Sequence, residues 1–452
     1  MPLHDESGYP LQLESREALD AWNATVRGFL AHSARTPDHL NSVLTLAPGF
    51  ALARIAKALF LLMLGRAELD AEAARIAAET EALASQGALD ARERLYAAAL
   101  QDWLHGCPSD AAARLEQAHR TWPGDALALK LAHGIRFMMG DRLAMRSAME
   151  QALDIYQPDH PFAGYIHGCY AFALEETGAY GAAEHAGRRA LELAPDDAWA
   201  LHAVTHVYDM TGNSTHGARF VLANESAWGH CNNFRYHVWW HLALFYLDIG
   251  DYDAVLALYD HRIRNDRTDD YRDIANATSL LSRLELEGVD VGTRWQELAD
   301  LAEQRIEDAS VVFADLHYML ALTGDRRTVA ARRLIRRLNA SGAASRSEMD
   351  AVAGDAGVPV AQGLQAFKNA DYRSAYQLMA KARPHLQAIG GSHAQRDIFE
   401  RIAIDAAIRA GAYSEALSLI EERDQARGAC DRFARSRLGW IEQAGRHSET
   451  TV

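Results

Sequence analysis

The chain has 452 residues, 49% hydrophobic and 24% charged, with a net charge of −15. That balance excludes a disordered chain, and the acidic excess argues against a phosphate backbone as partner, so no nucleic acid is expected. The four cysteines, Cys107, Cys169, Cys231 and Cys430, form no CxxC pair, which points away from a disulfide scaffold and towards a reducing compartment.

From the N-terminus, MPLHDESGYPLQLESREALDAW has neither the basic nor the apolar region of a signal peptide, and no later run approaches the length of a membrane span. A cytoplasmic chain with no membrane association is expected. SREALDAWNATVRGFLAHS and APGFALARIAKALFLLMLG read as helices, so residues 1–90 form a helical cap with weak repeats. A regular pattern follows. Glycines at 106, 140, 178, 212 and 250 each end an apolar helical run, at spacings of 34, 38, 34 and 38. Gly324 and Gly411 look like later members, and Ala370 takes the same place in FKNADYRSAYQLM. A glycine there lets the first helix of a pair end in the left-handed conformation. Neither helix of such a pair buries its apolar face alone, so pairs stack.

A period near 34 with Gly-Asp-Tyr turns is the tetratricopeptide (TPR) signature. The expected fold is all-α, a TPR-like solenoid of stacked antiparallel helix pairs. Residues 91–341 would form the main array. The glycine-rich GAASRSEMDAVAGDAGVPVAQG at 342–363 reads as a linker, and 364–445 as C-terminal TPR-like helices.

Aligning the units on their turn glycines places unusual residues on one inner stripe. One unit offers Trp199, His202, His206 and Asp209; the next offers His237, Trp240 and His241. The unit before them offers Tyr165, Cys169, Phe172 and Glu175, and the connection WGHCNNFR adds His230, Cys231, Asn232 and Arg235. Trp239, Leu242 and Tyr246 are left for packing. Asp315 and His317 lie on a later first helix. The concave face of a solenoid is where ligands bind, so these residues are the expected ligand groove, for a small molecule or a peptide. Imidazoles titrate near neutral pH, so His202, His206, His237 and His241 are also candidates for acid–base chemistry, with Cys231 as a candidate nucleophile. His-x-x-x-His also suits a divalent metal, since i and i+4 share a helix face; the spacing alone assigns no metal. In GGSHAQRD, Ser392 and Gln395 have capping-box spacing; the cap does not require Arg396 or Asp397, which are candidates to pair or to reach a groove ligand. No GxSxG, HExxH or GxGxxG occurs. Self-association through edge helices is also open to such a chain.

HAVTHVYDMTG, CNNFRYHVWWHLALFYLDIGDYDAVLALYD, YAFALEETGAYGAAE and GGSHAQRD resemble the tetratricopeptide repeat protein 38-like family, over residues 20 to 440 or so. The resemblance implies a helical repeat fold and carries no settled activity. The residues matching the family's recurrent positions are His202, His206, Tyr208, Cys231, Asn232, His237, Trp240, His241, Gln395, Arg396 and Asp397. Two functions follow from the residues: a binding protein with a His- and Trp-lined groove, or an enzyme using the clustered His, Asp and Glu.

Overall fold

A computed structural model describes residues 3–449. Apart from a short antiparallel pairing of Leu3–His4 with Pro10–Leu11, its regular elements are helices. Successive helices pack as antiparallel neighbours, among them Ala91–Leu104 with Pro108–Thr121 and Ala163–Glu176 with Tyr180–Leu193. The fold is therefore the all-α helical repeat that the spacing implies.

The turn chemistry explains the repeat. Gly106, Gly140, Gly178, Gly212, Gly250 and Gly411 all have positive φ. The aspartate that follows some of them starts the next helix. Asp141 accepts from the Ala144 N–H, and Asp251 from the Ala254 N–H. Each such cap satisfies one of the first-turn N–H groups. Ala370 also takes the left-handed conformation, at φ 59, with Asp371 capping behind it.

Gly324 does not follow this rule. It is the last residue of the Val312–Gly324 helix, and the left-handed turn residue is Arg326, at φ 55. A Cβ on Gly324 would come within 2.4 Å of the Trp295 ring. The glycine is there for close helix packing, and sequence spacing cannot tell that use from a turn.

The chain divides into two compact units. The first comprises residues up to Val204 with Asn224–Arg235 and Arg346–Met349; the second comprises Thr205–Ala223, Tyr236–Ser345 and the residues from Asp350 onward. In the first unit, Arg92 lies between Asp5 at 2.8 Å and Asp125 at 2.7 Å, and Tyr96 donates to the same Asp125 at 2.9 Å. This buried network ties the N-terminal hairpin to the repeat helices. In the second unit, the first helices of successive pairs, Tyr271–Leu286, Val312–Gly324, Val358–Lys368 and His393–Arg409, pack on one another and form its inner face.

Residues 342–363 are not a bare linker. Helix Thr328–Ala344 runs into them, Glu348–Val352 and Ala353–Gly357 are helical, and Val358–Lys368 follows. Their glycines serve contact. A Cβ on Gly342 would meet Gly354 Cα at 2.7 Å, and one on Gly357 would meet Val312 and Leu338. Glu348 accepts from the Ser109 hydroxyl at 2.7 Å within the first unit.

Gly324→Ala is expected to destabilise the protein by about 1–3 kcal/mol, the range for overpacking a filled site. Chemical denaturation followed by Trp fluorescence measures it; unchanged stability would show that the Trp295 contact is not tight.

Candidate functional site

The residues expected to share one groove fall in both units. Trp199, His202, Glu175, Cys231 and Asn232 belong to the first, and His206, Asp209, His237, Trp240, His241 and Arg396 to the second. His202 and His206 stand four apart on one helix, Ala198–Met210.

In the first unit Trp199 is the centre of an aromatic cluster. Its indole N–H donates to His133 Nε2 at 3.1 Å, and the Lys130 ammonium lies 4.7 Å from its ring centroid. His202 packs against it at 4.9 Å and stacks on Phe172 at 5.2 Å. Burial first, then the Lys130 charge, hold His133 well below the usual imidazole range. Glu175 is completely buried in its helix.

Cys231 and Asn232 have a structural task. Cys231 forms an isolated antiparallel bridge with Ser33, and the Asn232 N–H donates to the His32 carbonyl at 2.9 Å. Asn232 Oδ1 accepts from the Phe234 N–H at 3.0 Å, starting the Phe234–Ile249 helix. Burial, reinforced by Asp197 and Asp196, pushes the Cys231 thiol up to about 12. It is mostly unionised at neutral pH, which argues against Cys231 as the candidate nucleophile and fits a buried structural thiol.

The second unit holds the imidazole cluster. His237 and His241 are one turn apart on Phe234–Ile249, and their Nε2 atoms are 3.1 Å apart. The His206 ring centroid is 4.6 Å from that of His241. The repeat alignment puts these side chains in a groove, lined for a ligand in the binding reading and closed into a pocket in the enzyme reading. They are buried, with exposures of 0% for His206, 9% for His237 and 1% for His241. Trp240 is also fully buried; it stacks on His237 at 5.2 Å and lies under the Arg283 guanidinium. The half-buried member of the Trp pair is Trp239, under Arg262.

Hydrogen bonding sets the imidazole protons. His237 Nδ1 meets Asn276 Oδ1 at 3.1 Å, and a carbonyl oxygen only accepts, so the proton is on Nδ1. His237 Nε2 is then an acceptor, and His241 Nε2 donates to it. Asn276 Oδ1 also accepts from Gln395 Nε2 at 3.3 Å. Gln395 completes the capping box with Ser392 through its other amide atom. Burial first, then His206, pulls His237 down to about 3, and the same causes with His237 and Arg283 hold His241 well below its ordinary value. The pair is neutral.

Two expected ligand residues are already engaged in this unit. Arg396 donates to the Gly390 and Gly391 carbonyls and to Gln387 Oε1, so it braces its own loop. Asp209 is paired with Arg427 at 3.0 Å. Asp397 and Asp431 share Arg423, with closest approaches of 2.6 and 2.7 Å, and both also bind Arg401. The space beside these charges is about 20 Å³, room for one water. Tyr208 packs beside Phe220, and Asp315 pairs with Arg337. His317 contacts the Phe313 carbonyl at 2.7 Å.

A larger cavity, about 220 Å³, opens on the inner face of the second unit. Leu286, Leu320, Leu364, Phe367 and Ile402 wall it, and Lys368, Tyr372 and Arg409 are among its polar lining groups. Sequence reasoning found neither this cavity nor Asn276. Asn276 lies in a run of small residues that reads only as helix, although a buried amide on a first helix is a signal in itself.

The chain is an α-helical repeat protein. No family model matches it. Similar solved structures include human IFIT1 as a dimer with PPP-AAAA, 14% identical over 98% of each chain, with a TM-score of 0.43. Human IFIT1 as a dimer with m7Gppp-AAAA is 15% identical over 97% of this chain and 96% of that one, at 0.39. Yeast Tom70 is 13% identical over 95% of this chain and 88% of that one, at 0.36. At these values the likeness bears on neither ligand nor partner. The expectation against nucleic acid rests on net charge alone. No described helix is long and apolar enough to cross a membrane.

Native Cys231 is expected to resist iodoacetamide at mildly alkaline pH and to react only on unfolding, because its thiol is held up by burial. Mass mapping of the labelled cysteines checks this, and rapid labelling of the folded chain would contradict it.

Proposed function

We propose that the chain is a ligand-binding helical repeat protein whose ligand is a small molecule held on the inner face of the second unit. The cavity of about 220 Å³ between the first helices of successive pairs carries this reading. It is below the roughly 300–1,000 Å³ of sites for drug-sized ligands, so it suits a small metabolite better than a peptide segment.

The lining narrows the chemistry. Five apolar side chains offer a dry wall. At the polar part, Arg409 donates to the Tyr372 hydroxyl at 3.2 Å, and its guanidinium sits 5.4 Å from the Phe367 ring centroid. Lys368 is paired with Glu285. A compact molecule with an apolar body and a carboxylate or similar acceptor head, facing Arg409, fits this division. The imidazole cluster lies outside this lining, so the His- and Trp-lined groove gives way to an apolar wall with a cationic head group.

The narrower resemblance to the tetratricopeptide repeat protein 38-like family belongs to this proposal. It rests on residues 170–184, 202–212, 231–260 and 390–397. A reducing, cytoplasmic setting is proposed with it, on the four free cysteines.

A thermal-shift screen of small aliphatic and aromatic acids tests the reading. A true ligand at a hundred times its Kd stabilises by about 2.7 kcal/mol. Leu320→Trp, which fills the cavity, is expected to abolish the shift, and Arg409→Ala to weaken it. A ligand whose shift survives Leu320→Trp binds elsewhere and would overturn the assignment.

A further inference from the structure

We propose that His206, His237 and His241 of the second unit form a binding site for a divalent d-block metal ion such as zinc or cobalt. The site shares no residue with the cavity above, and the inference goes beyond the small-molecule reading.

The first support is convergence. One ligand nitrogen from each of the three imidazoles lies within 4.8 Å of the other two. His237 and His241 come closest, with 3.1 Å between their Nε2 atoms. Two nitrogens bound to one zinc at roughly 2.0–2.1 Å with tetrahedral angles are about 3.4 Å apart. The observed separation corresponds to a somewhat closed angle at a shared ion, which His241 joins by shifting its Nε2 proton to Nδ1, since only an unprotonated ring nitrogen binds a metal. The third nitrogen, from His206, lies within 4.8 Å of both and closes on a shared ion by χ rotation.

The second support is what stands behind the donors. A metal-bound histidine generally gives its other ring N–H to an oxygen, which fixes the tautomer and aims the remaining nitrogen. His237 does this: Nδ1 donates to Asn276 Oδ1 and Nε2 faces His241. Asn276 is itself held by Gln395, whose position is set by the capping box with Ser392. The aim of His237 thus depends on a chain of three polar residues from two further helices. Plain packing would not require such a chain, since an apolar residue at 237 would remove the need for a buried amide at 276.

The third support is ligand type. Imidazole nitrogen suits zinc, cobalt, nickel, copper and iron, whereas calcium and magnesium prefer oxygen. The rings are buried, with no charged side chain among these three donors. The spacing that raised the question, His-x-x-x-His on one helix, gains its third donor from the helix of the preceding repeat, as the alignment on the turn glycines implies.

The test uses untagged full-length protein, stripped with a chelator and titrated with Co(II). The expected result is stoichiometric cobalt retained through desalting, with the visible d–d absorption of a nitrogen-ligated, low-coordinate ion and a raised Tm. Asn276→Ala leaves all three donors in place and is expected to weaken binding about 10- to 100-fold. The His237→Gln/His241→Gln double variant is expected to lose the cobalt while keeping its far-UV circular dichroism. Substoichiometric retention by the wild type, or only the spectrum of aqueous cobalt, would overturn the proposal. So would a folded double variant that holds as much metal as the wild type. If the double variant does not fold, the wild-type spectrum decides the matter alone.

Discussion

The second unit carries charged and polar side chains inside a helical core, and the sharing of Arg423 by Asp397 and Asp431 is the strongest pairing among them. All three side chains are nearly inaccessible. Burial by itself would raise both carboxyls, but Arg423 and Arg401 hold them well below the usual carboxylate range. Breaking a buried pair of this kind typically costs about 3–5 kcal/mol, because the remaining charge is stranded. The network joins His393–Arg409 to Tyr413–Arg427 and so sets the position of the helix that carries Gln395.

From that anchored helix, order passes to the imidazoles. Gln395 holds Asn276, and Asn276 fixes the proton of His237. A neutral His237 can then accept from His241. Each step is a hydrogen bond between neutral groups in a buried place, where an unmade bond costs about 1–3 kcal/mol. Arg283 contributes from the side, donating to the Ala394 carbonyl at 2.6 Å while its guanidinium covers Trp240. The cluster is therefore oriented by the fold before any ligand arrives. The cavity on the same unit's inner face is built differently, from apolar walls and two paired cations, Lys368 with Glu285 and Arg409 with Asp405.

Much of this was legible in the sequence, and the parts that were not have identifiable causes. The turn glycines announced the helix pairs because left-handed backbone strongly favours glycine, and Ala370 was recognisable by its place in the period. Ser392 and Gln395 announced a cap through spacing alone. The histidine stripe was visible as a stripe, but its burial was not: a repeat alignment gives a face, and only the packing of later helices decides whether that face meets water. Glycine misled twice, at Gly324 and across 342–363, because it serves close helix contact as well as turns and flexibility. Asn276, Arg283 and Arg409 were missed because their partners are far away in sequence, up to 119 residues for Asn276 and Gln395.

The central claim is that His237 and His241 are neutral imidazoles with protons placed by Asn276. Side-chain nitrogen NMR of chelator-treated, histidine-labelled protein at about pH 5 tests it directly, since an ordinary histidine is mostly charged there. The account predicts that the His237 and His241 rings are both neutral, each assigned by its loss in His237→Gln or His241→Gln, with the His237 proton on Nδ1. Imidazolium shifts for either residue, or a His237 ring protonated only on Nε2, would contradict it.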